Sequence, residues 1–268
     1  MPHTRNETYT LDLMKGKTCF MAGATSGINR QIAVRFAMEG AKVFVISRSQ
    51  DKVTDTVEEL RGLGGEADGL AVDVRSYEDV EQAIDTCVQK FGALDMVLAG
   101  QAGNFIAGAA QMSSNAFKSV IDIDLLGTFN IYRAAVGHAV KPGASFVAIT
   151  APQGTQPHLF QAHVCAAKAG VNMLTKCCAM EWGKSGIRVN AISPGPIDDT
   201  EGMKRLSGSP AIVEKYKQGL ALKRMGVKDE IADACLWLCS DAARYVTGTI
   251  LEVDGGTALG DSSMAMDL

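Results

Sequence analysis

The sequence predicts a doubly wound α/β fold, in which helices cover both faces of a seven-stranded, mainly parallel sheet. Two observations support this fold class. Short runs rich in β-branched and aromatic residues alternate with helical patterns along the chain, which is typical of parallel strands joined by right-handed crossovers. The chain has 268 residues, 47% of them hydrophobic, which suits one large core. We therefore expect a single domain over residues 1–268.

Each strand is followed by a helical pattern. Strands are expected at residues 18–22, 42–47, 67–72, 94–99, 145–150, 187–193 and 247–256. Helices are expected near residues 27–39, 50–63, 76–90, 114–138 and 160–183, with another starting near residue 228. The segment 195–226 interrupts this order with prolines and glycines, so we expect short helices and turns that form a substrate lid. Residues 257–268 are expected to form a tail.

Charge, hydropathy and cysteine usage exclude several classes of function. The net charge of -4 and the absence of long basic runs argue against nucleic acid as a partner. No stretch of about 18 apolar residues is present, so no membrane span is expected. Seven cysteines occur without a C-x-x-C pair or zinc-ligand spacing, which favours reduced thiols and no metal site. The last residues lack an S-K-L address, so a cytoplasmic location is expected.

A glycine-rich turn follows the first strand and opens the first helix, the context that a dinucleotide-binding (Rossmann) fingerprint requires. Glycines let the backbone approach a pyrophosphate, and the helix N-terminus offers N–H groups and the positive end of a dipole. Asn29 stands at the third glycine position, so its side chain has to be accommodated there. The candidate cofactor residues in this turn are Gly23, Thr25, Ser26, Gly27 and Ile28.

The residues after the second strand bear on the choice between NADH and NADPH. An NAD enzyme offers an acidic residue to the ribose 2′-hydroxyl at this point, whereas this chain has Ser47 and Arg48. A guanidinium can form a charge-assisted hydrogen bond with a 2′-phosphate. The pair favours NADP(H), the alternative being that Arg48 is only a solvated surface charge.

With these motifs the chain resembles the short-chain dehydrogenase/reductase family over nearly its whole length. Asp73-Val74 matches the position that contacts adenine, and Ala102-Gly103 matches the end of the family's Asn-Asn-Ala-Gly motif. Pro194-Gly195-Pro196-Ile197 matches the segment beside the nicotinamide. The resemblance implies that these residues, together with Lys168 and Thr200, bind the cofactor.

The residues that carry the chemistry in ordinary members of this family are mostly replaced. Those members use Asn, Ser, Tyr and Lys, with Tyr as the proton donor to a carbonyl. The corresponding positions here are Asp124, Ala151, Val164 and Lys168, so only the lysine is retained. Neither alanine nor valine can donate a proton, so routine carbonyl reduction through that tetrad is not expected. Two explanations remain open: a protein that only binds NADP(H), or a hydride transfer that needs no protein acid at the carbonyl.

The second explanation agrees with a closer resemblance, to the peroxisomal type of 2,4-dienoyl-CoA reductase. It rests on Ala102-Gly103-Asn104-Phe105, on the helix from Asn115 to Asn130, and on the segment from Gly195 to Gly202. It implies NADPH-dependent reduction of a conjugated acyl-CoA, in which Asp124 and Lys168 order a water that protonates the dienolate. The alternative for Asp124 is a structural polar residue that satisfies backbone groups.

The same resemblance implies a set of acyl-CoA contacts and an assembly. Arginines would face the CoA phosphates, an aromatic side chain would line the mouth, and Gln153 would donate to the thioester oxygen. The implied substrate residues are Arg48, Arg75, Phe105, Ser113, Asn115, Gln153 and Arg205. A homotetramer is implied as well, since the long helices near 114–138 and 160–183 resemble those of the family's dimer interface. A rival interpretation is a carbonyl or 3-oxoacyl reductase in which His163 replaces the missing acid.

Overall fold

The architecture is a single parallel sheet with helices packed on it, seen in a computed structural model that describes residues 13–200 and 210–262. The strands are β1 Thr18–Ala22, β2 Lys42–Ser47, β3 Glu66–Ala71, β4 Met96–Ala99, β5 Ser145–Ile149, β6 Arg188–Pro194 and β7 Ile250–Val253. The α-helices are α1 Gly27–Met38, α2 Gln50–Gly62, α3 Tyr77–Phe91, α4 Ser114–Val120, α5 Gly127–Ala135, α6 Ala162–Trp182, α7 Pro210–Gly219 and α8 Lys228–Cys239. The strands all pair in parallel in the order β3-β2-β1-β4-β5-β6-β7, which confirms the predicted fold class.

The central strands are buried on both faces, as a sheet covered by helices requires. Alternate residues of β1 and β2 enter two separate cores. Phe20 and Phe44 belong to one core, where their rings stack with centroids 5.9 Å apart. Met21 and Val45 belong to the other. Because each side chain along these strands has a core to enter, almost wholly apolar runs form the strands.

The chain reverses its direction across the sheet between β3 and β4, and this reversal places the site. Strands β1 to β3 extend toward one edge, whereas β4 to β7 extend toward the other. In open parallel sheets, a crevice forms at the carboxyl ends of the two strands on either side of such a reversal. Here those strands are β1 and β4, and Gly23 lies directly against the backbone of Gln101. The turns that follow the two strands therefore meet at one place.

The predicted helix over residues 114–138 contains a wider turn that the sequence pattern did not indicate. Between α4 and α5, residues Ile121–Leu126 form a π-helix. Such a turn disturbs the regular backbone hydrogen bonds, and side chains supply partners instead. Gln101 Nε2 donates to the Ile123 carbonyl over 3.3 Å, and Thr128 Oγ1 donates to the Asp124 carbonyl over 2.6 Å. Asp124 thus lies in a widened turn that its neighbours hold in place.

The predicted lid, residues 195–226, is described in part. A parallel bridge between Ile197 and Gly226 closes its base, and the Asp198 N–H donates to the Gly226 carbonyl over 2.9 Å. The helix α7 lies within the segment. Residues 201–209 fall outside the described residues, so the structure does not address the prediction there. Within the described ranges, no helix is both long enough and apolar enough to cross a membrane.

Candidate active site

A cavity of about 870 Å³ opens at the carboxyl ends of the strands. This volume is within the range of sites that hold drug-sized ligands. The turns that follow β1 to β6 all contribute to its wall. Every residue that the sequence proposed for cofactor binding lines it: Gly23, Thr25, Ser26, Gly27, Ile28, Ser47, Arg48, Asp73, Val74, Ala102, Gly103, Lys168, Pro194, Gly195, Ile197 and Thr200.

The turn after β1 has the backbone geometry that a pyrophosphate needs. Gly23 has a φ of 70°, and a Cβ there would come within 2.8 Å of the Gln101 backbone, so only glycine fits. Ser26 precedes α1, and its side chain makes no capping hydrogen bond within the described part of the chain. The N–H groups of the first helical turn are thus left for an anion at the positive end of the helix dipole. This turn fits a nicotinamide dinucleotide.

Asn29, at the third glycine position, is accommodated because Gly100 has no side chain. The Asn29 Nδ2 donates to the Gly100 carbonyl over 2.5 Å. A Cβ at position 100 would come within 2.5 Å of Asn29 Cγ. The departure from the glycine pattern therefore ties α1 to the end of β4 and leaves the turn itself open.

The cationic groups near the end of β2 and β3 differ in their availability. Arg48 is exposed and lines the cavity. Arg75 is held by Asp73, with its Nε 3.0 Å from each carboxylate oxygen. The hydrogen bond from Arg75 is the main cause that lowers the pKa of the Asp73 carboxyl, although partial burial opposes it. The charge of Arg75 is therefore largely balanced by Asp73, whereas that of Arg48 faces the cavity.

Lys168 and Asp124 form a buried ion pair in the wall of the cavity. The lysine Nζ lies 3.1 Å from Asp124 Oδ2 and donates to the Ile149 carbonyl over 3.0 Å. The Asp124 Oδ1 accepts from the Gly103 N–H over 2.7 Å. The lysine side chain is 6% exposed and the aspartate side chain 0%. Both residues line the cavity, so the wall carries an ammonium and a carboxylate side by side, of which the ammonium is the more exposed.

Apolar side chains fill the positions of the family's serine and tyrosine. Ala151 and Val164 line the cavity, as does Lys168. Val164 is buried and packs in a small cluster with Val120 and Ala167. Neither Ala151 nor Val164 can donate a proton to an oxygen atom held beside them.

His163, the rival proton donor, is wholly buried. Its ring stacks on Phe105 with centroids 4.2 Å apart, and neither ring nitrogen has a hydrogen-bond partner among the described residues. Burial lowers the pKa of this imidazole, while the backbone of Phe105 and the charge of Asp124 act in the opposite direction. A neutral ring packed under Phe105 supports the loop after β4, and this placement argues against a role as proton donor.

Replacement of His163 by phenylalanine is expected to keep kcat within about threefold of the wild-type value, because the ring stack on Phe105 is retained. The unfolded histidine binds a proton near its ordinary pKa of about 6.5, whereas the buried one resists it. The free energy of unfolding of the wild type should therefore fall as the pH is lowered from 7 to 5. In the variant it should fall by a smaller amount. Urea unfolding at both pH values measures this, with His138→Phe as the half-exposed control. A hundredfold loss of kcat in His163→Phe would restore the acid role.

Gln153 lies in the cavity wall together with a glutamine that the sequence analysis missed. The Gln153 Nε2 donates to Gln161 Oε1 over 2.7 Å, and both residues line the cavity. Gln161 immediately precedes α6 and is 3% exposed. Its place at the helix start, two residues before His163, was the only signal that the sequence offered. The pair brings two amide groups to the cavity.

The other residues proposed for substrate binding are not shown to line this cavity. In the described part of the chain, Arg75, Phe105, Ser113 and Asn115 are not among the residues that line it. Ser113 caps α4, since its Oγ accepts from the Ala116 N–H over 3.2 Å. Arg205 lies in segment 201–209, outside the described residues. Contacts of these five residues with CoA stay predictions.

Comparison with known proteins identifies the family. The family described as enoyl-(acyl carrier protein) reductase matches residues 23–258. With its all-parallel sheet and dinucleotide turn, the chain belongs to the short-chain dehydrogenases/reductases and is an oxidoreductase. Within this family it is similar to peroxisomal 2,4-dienoyl-CoA reductases. It is 42% identical to that of Saccharomyces cerevisiae, over 91% of this chain and 85% of the yeast protein. It is 40% identical to that of Pongo abelii, over 92% and 86%.

Solved structures with the same fold contain nicotinamide cofactors. A 7α-hydroxysteroid dehydrogenase complexed with NADH and 7-oxo glycochenodeoxycholic acid has a TM-score of 0.86 at 29% identity, covering 91% of this chain and 96% of that one. An actinorhodin polyketide ketoreductase variant with NADPH has a TM-score of 0.84 at 27% identity, covering 90% and 97%. One neighbour holds NADH and the other NADPH. The likeness therefore supports a nicotinamide dinucleotide and does not decide between the two.

The expected cytoplasmic location is wrong. The similar reductases of yeast, Pongo abelii, Danio rerio and Arabidopsis thaliana are all named peroxisomal. The expectation relied on one short address pattern. Such addresses are read by receptors and leave no trace in composition or fold, so the missing pattern was weak evidence.

Proposed function

We propose that the protein is an NADPH-dependent 2,4-dienoyl-CoA reductase. The observation that carries the proposal is the buried pair of Lys168 and Asp124 in a cavity wall where Ala151 and Val164 replace the usual proton donors. A site of this kind can stabilise developing negative charge but lacks the hydroxyl groups through which ordinary members of the family protonate a carbonyl oxygen. Conjugate reduction of an unsaturated thioester needs stabilisation of negative charge and no protein acid at the carbonyl oxygen. The names of the similar reductases support the same substrate class.

The proposed reaction divides the work between cofactor, water and two side chains. The reduced nicotinamide, when bound, supplies a hydride, which adds to C5 of the dienoyl-CoA while the displaced electron pair moves to the thioester oxygen. The resulting dienolate then takes a proton from water at C2, which gives the 3-enoyl thioester. Lys168 and Asp124 order that water together, and the carboxylate also holds the ammonium in place. Protonation at C2 agrees with the name of the yeast relative, which describes a (3E)-enoyl-CoA product.

The thioester end of the substrate is proposed to lie against amide and cationic groups. The Gln153 and Gln161 pair lines the cavity and has the polar groups to bind the thioester. Phe105, Ser113 and the region of Asn115 are proposed to contact the pantetheine. Arg48, Arg75 and Arg205 are proposed for the CoA phosphates. To bind a CoA phosphate, Arg75 has to share its charge with Asp73.

The preference for NADPH is proposed to reside in Arg48. We expect Arg48→Ser to raise KM for NADPH about tenfold or more and to leave KM for NADH unchanged, because NADH has no 2′-phosphate that could lose a charge-assisted hydrogen bond. Initial rates with each cofactor at saturating substrate measure the ratio. Arg61→Ser is the matched control, since it removes the same charge from an exposed position at the end of α2. Equal effects of Arg48→Ser on both cofactors would contradict the assignment.

A substrate panel tests the proposed activity. NADPH absorbance is followed with 2,4-hexadienoyl-CoA, with a 3-oxoacyl-CoA and without substrate, while calorimetry measures NADPH binding. Oxidation that depends on the dienoyl-CoA is the expected result. Turnover on the 3-oxoacyl-CoA alone would favour the carbonyl reductase. Tight NADPH binding without turnover on either thioester would favour a protein that only binds the cofactor.

Assembly and location complete the proposal. Exposed apolar side chains on the face formed by α4 to α6 support a homotetramer: Phe117, Leu126, Phe129, Met173 and Met180. Light scattering is expected to give the mass of four chains. A peroxisomal location is proposed from the names of the relatives.

A further inference from the structure

The turn after β4 holds Asp124 at two points, one on its side chain and one on its backbone. The Gly103 N–H donates to the Asp124 carboxylate over 2.7 Å. Two residues earlier in the chain, Gln101 Nε2 donates to Thr128 Oγ1 over 3.1 Å, and that hydroxyl donates to the Asp124 carbonyl over 2.6 Å. One short segment therefore fixes both ends of the residue that pairs with Lys168.

The Gln101 amide also reaches the backbone one residue before Asp124. Its Nε2 donates to the Ile123 carbonyl over 3.3 Å, so the two N–H groups of one amide serve two acceptors of the helix. One acceptor lies in the π-helix Ile121–Leu126 and the other in the first turn of α5. An apolar side chain of the same length could fill this space, but it would donate to neither acceptor.

The position of the Gln101 amide is itself fixed on two sides. The Gln101 backbone lies against the turn after β1, since a Cβ on Gly23 would come within 2.8 Å of the Gln101 Cα. Helix α5 approaches from the other side because it begins with Gly127. A Cβ there would come within 2.7 Å of Val74 Cγ2 and 3.3 Å of Gln101 Nε2. Gln101 is thus a buried, rigid anchor for the π-helix.

The wide turn matters because it sets the direction in which the Asp124 side chain points. A π-turn contains one residue more than an α-turn, and each residue of a helix turns the chain by about 100°. Relaxation to a regular α-helix would therefore rotate the residues before the turn by about that angle relative to α5. The carboxylate could not then keep both its contact with the Lys168 ammonium and its hydrogen bond from the Gly103 N–H.

We propose that Gln101 is a positioning residue for the reaction and that it acts by holding the wide turn in which Asp124 meets Lys168. The inference rests on the proposed function and adds a residue to its machinery. Because Gln101 acts through the Asp124 carboxylate, its side chain should affect kcat only while that carboxylate is present. A glutamine with a merely structural role would affect both backgrounds equally.

A double-mutant cycle on kcat for 2,4-hexadienoyl-CoA is the first test. Gln101→Met keeps the length of the side chain and removes the amide, so kcat should fall about tenfold. KM for NADPH should stay within about twofold, because the backbone contact with Gly23 is retained. In the Asp124→Asn background, the same change should lower kcat less than about twofold. Gln31→Met, which removes a partly buried amide bonded to Asp229, is the control and should behave as the wild type.

Thr128 offers a matched pair of variants for the same hydrogen-bond chain. Thr128→Val removes the hydroxyl and keeps the shape of the side chain, so kcat should fall about tenfold. Thr128→Ser keeps the hydroxyl and should stay within about twofold of the wild type. Equal rates in the two variants would exclude the hydroxyl from the positioning of Asp124. This pair carries the test if circular dichroism shows that Gln101→Met does not fold.

Three other results would overturn the inference. Wild-type kcat in a folded Gln101→Met protein would exclude the role. Equal losses of kcat with and without the Asp124 carboxylate would show that Gln101 acts independently of it. A rise in KM for NADPH at unchanged kcat would place its role in the cofactor turn.

A crystal structure of Gln101→Met separates this inference from the proposed function. It measures the distance between Lys168 Nζ and Asp124 Oδ2 even if no dienoyl-CoA is turned over. We expect that distance to be longer than the 3.1 Å of the wild type. An unchanged π-helix and an unchanged distance would overturn the inference whatever the substrate is, so the two proposals fail separately.

Discussion

Replacement of Lys168 by methionine is expected to lower kcat for 2,4-hexadienoyl-CoA about a thousandfold or more. The ammonium lies 3.1 Å from Asp124 Oδ2 and 3.0 Å from the Ile149 carbonyl oxygen, so it is fixed where the cavity wall offers its charge. Methionine has a similar length and can neither order a water nor hydrogen-bond a ribose. Steady-state rates at saturating NADPH give kcat, and Lys176→Met, an exposed lysine on the same helix, is the control.

The Lys168→Met variant also leaves a buried carboxylate without its counter-charge. Loss of one partner of a buried pair typically costs about 3–5 kcal/mol, so urea unfolding has to accompany the kinetics. The double variant Lys168→Met/Asp124→Asn removes the unpaired charge and should regain part of the stability without regaining activity. Wild-type turnover in a folded Lys168→Met protein would sink the proposed mechanism.

Replacement of Asp124 by asparagine is expected to lower kcat about a hundredfold, and it also lowers stability because the buried Lys168 ammonium loses its counter-charge. The amide keeps an oxygen for the Gly103 N–H, which Oδ1 accepts over 2.7 Å, but it removes the negative charge beside Lys168. Because the carboxylate fixes the Lys168 ammonium at the cavity wall, the loss should fall on kcat more than on KM for NADPH. Asp122→Asn, in the same π-helix and paired with Lys118, is the matched control.

Asp124→Ala separates the charge from the hydrogen bond. It removes the acceptor of the Gly103 N–H as well, so the loop after β4 should loosen and KM for NADPH should rise. If Asp124→Asn and Asp122→Asn have equal rates, the carboxylate has only the structural role that an asparagine fulfils elsewhere in the family.

The fold and most of the cavity wall could be predicted because both depend on local patterns. Apolar runs such as residues 42–47 form strands since each side chain enters a core, and the glycine turn at residues 23–27 specifies its own backbone geometry. The reaction site was harder to predict. The π-helix at Ile121–Leu126 depends on hydrogen bonds from Gln101 and Thr128, and no periodicity in the helix itself indicates these tertiary partners.

Contacts between segments that are distant in the chain account for the other misses. Gln161 lies in the cavity wall, where its side chain accepts a hydrogen bond from Gln153 in a different loop. The position of His163 beside Val164 suggests a proton donor, whereas its burial under Phe105 depends on the loop after β4. Such contacts cannot be read from spacing along a single sequence.

The tie between Asn29 and Gly100 constrains the order in which these two positions can change. A Cβ at position 100 would come within 2.5 Å of Asn29 Cγ, whereas a glycine at position 29 would place no side chain there. A mutational path from glycine to asparagine at position 29 therefore has to pass through glycine at position 100 first. Once Asn29 is present and bonded to the Gly100 carbonyl, a residue with a side chain cannot readily replace the glycine at position 100. The two positions can therefore change only in a fixed order, and a search for the strict glycine pattern would overlook proteins that have taken this path.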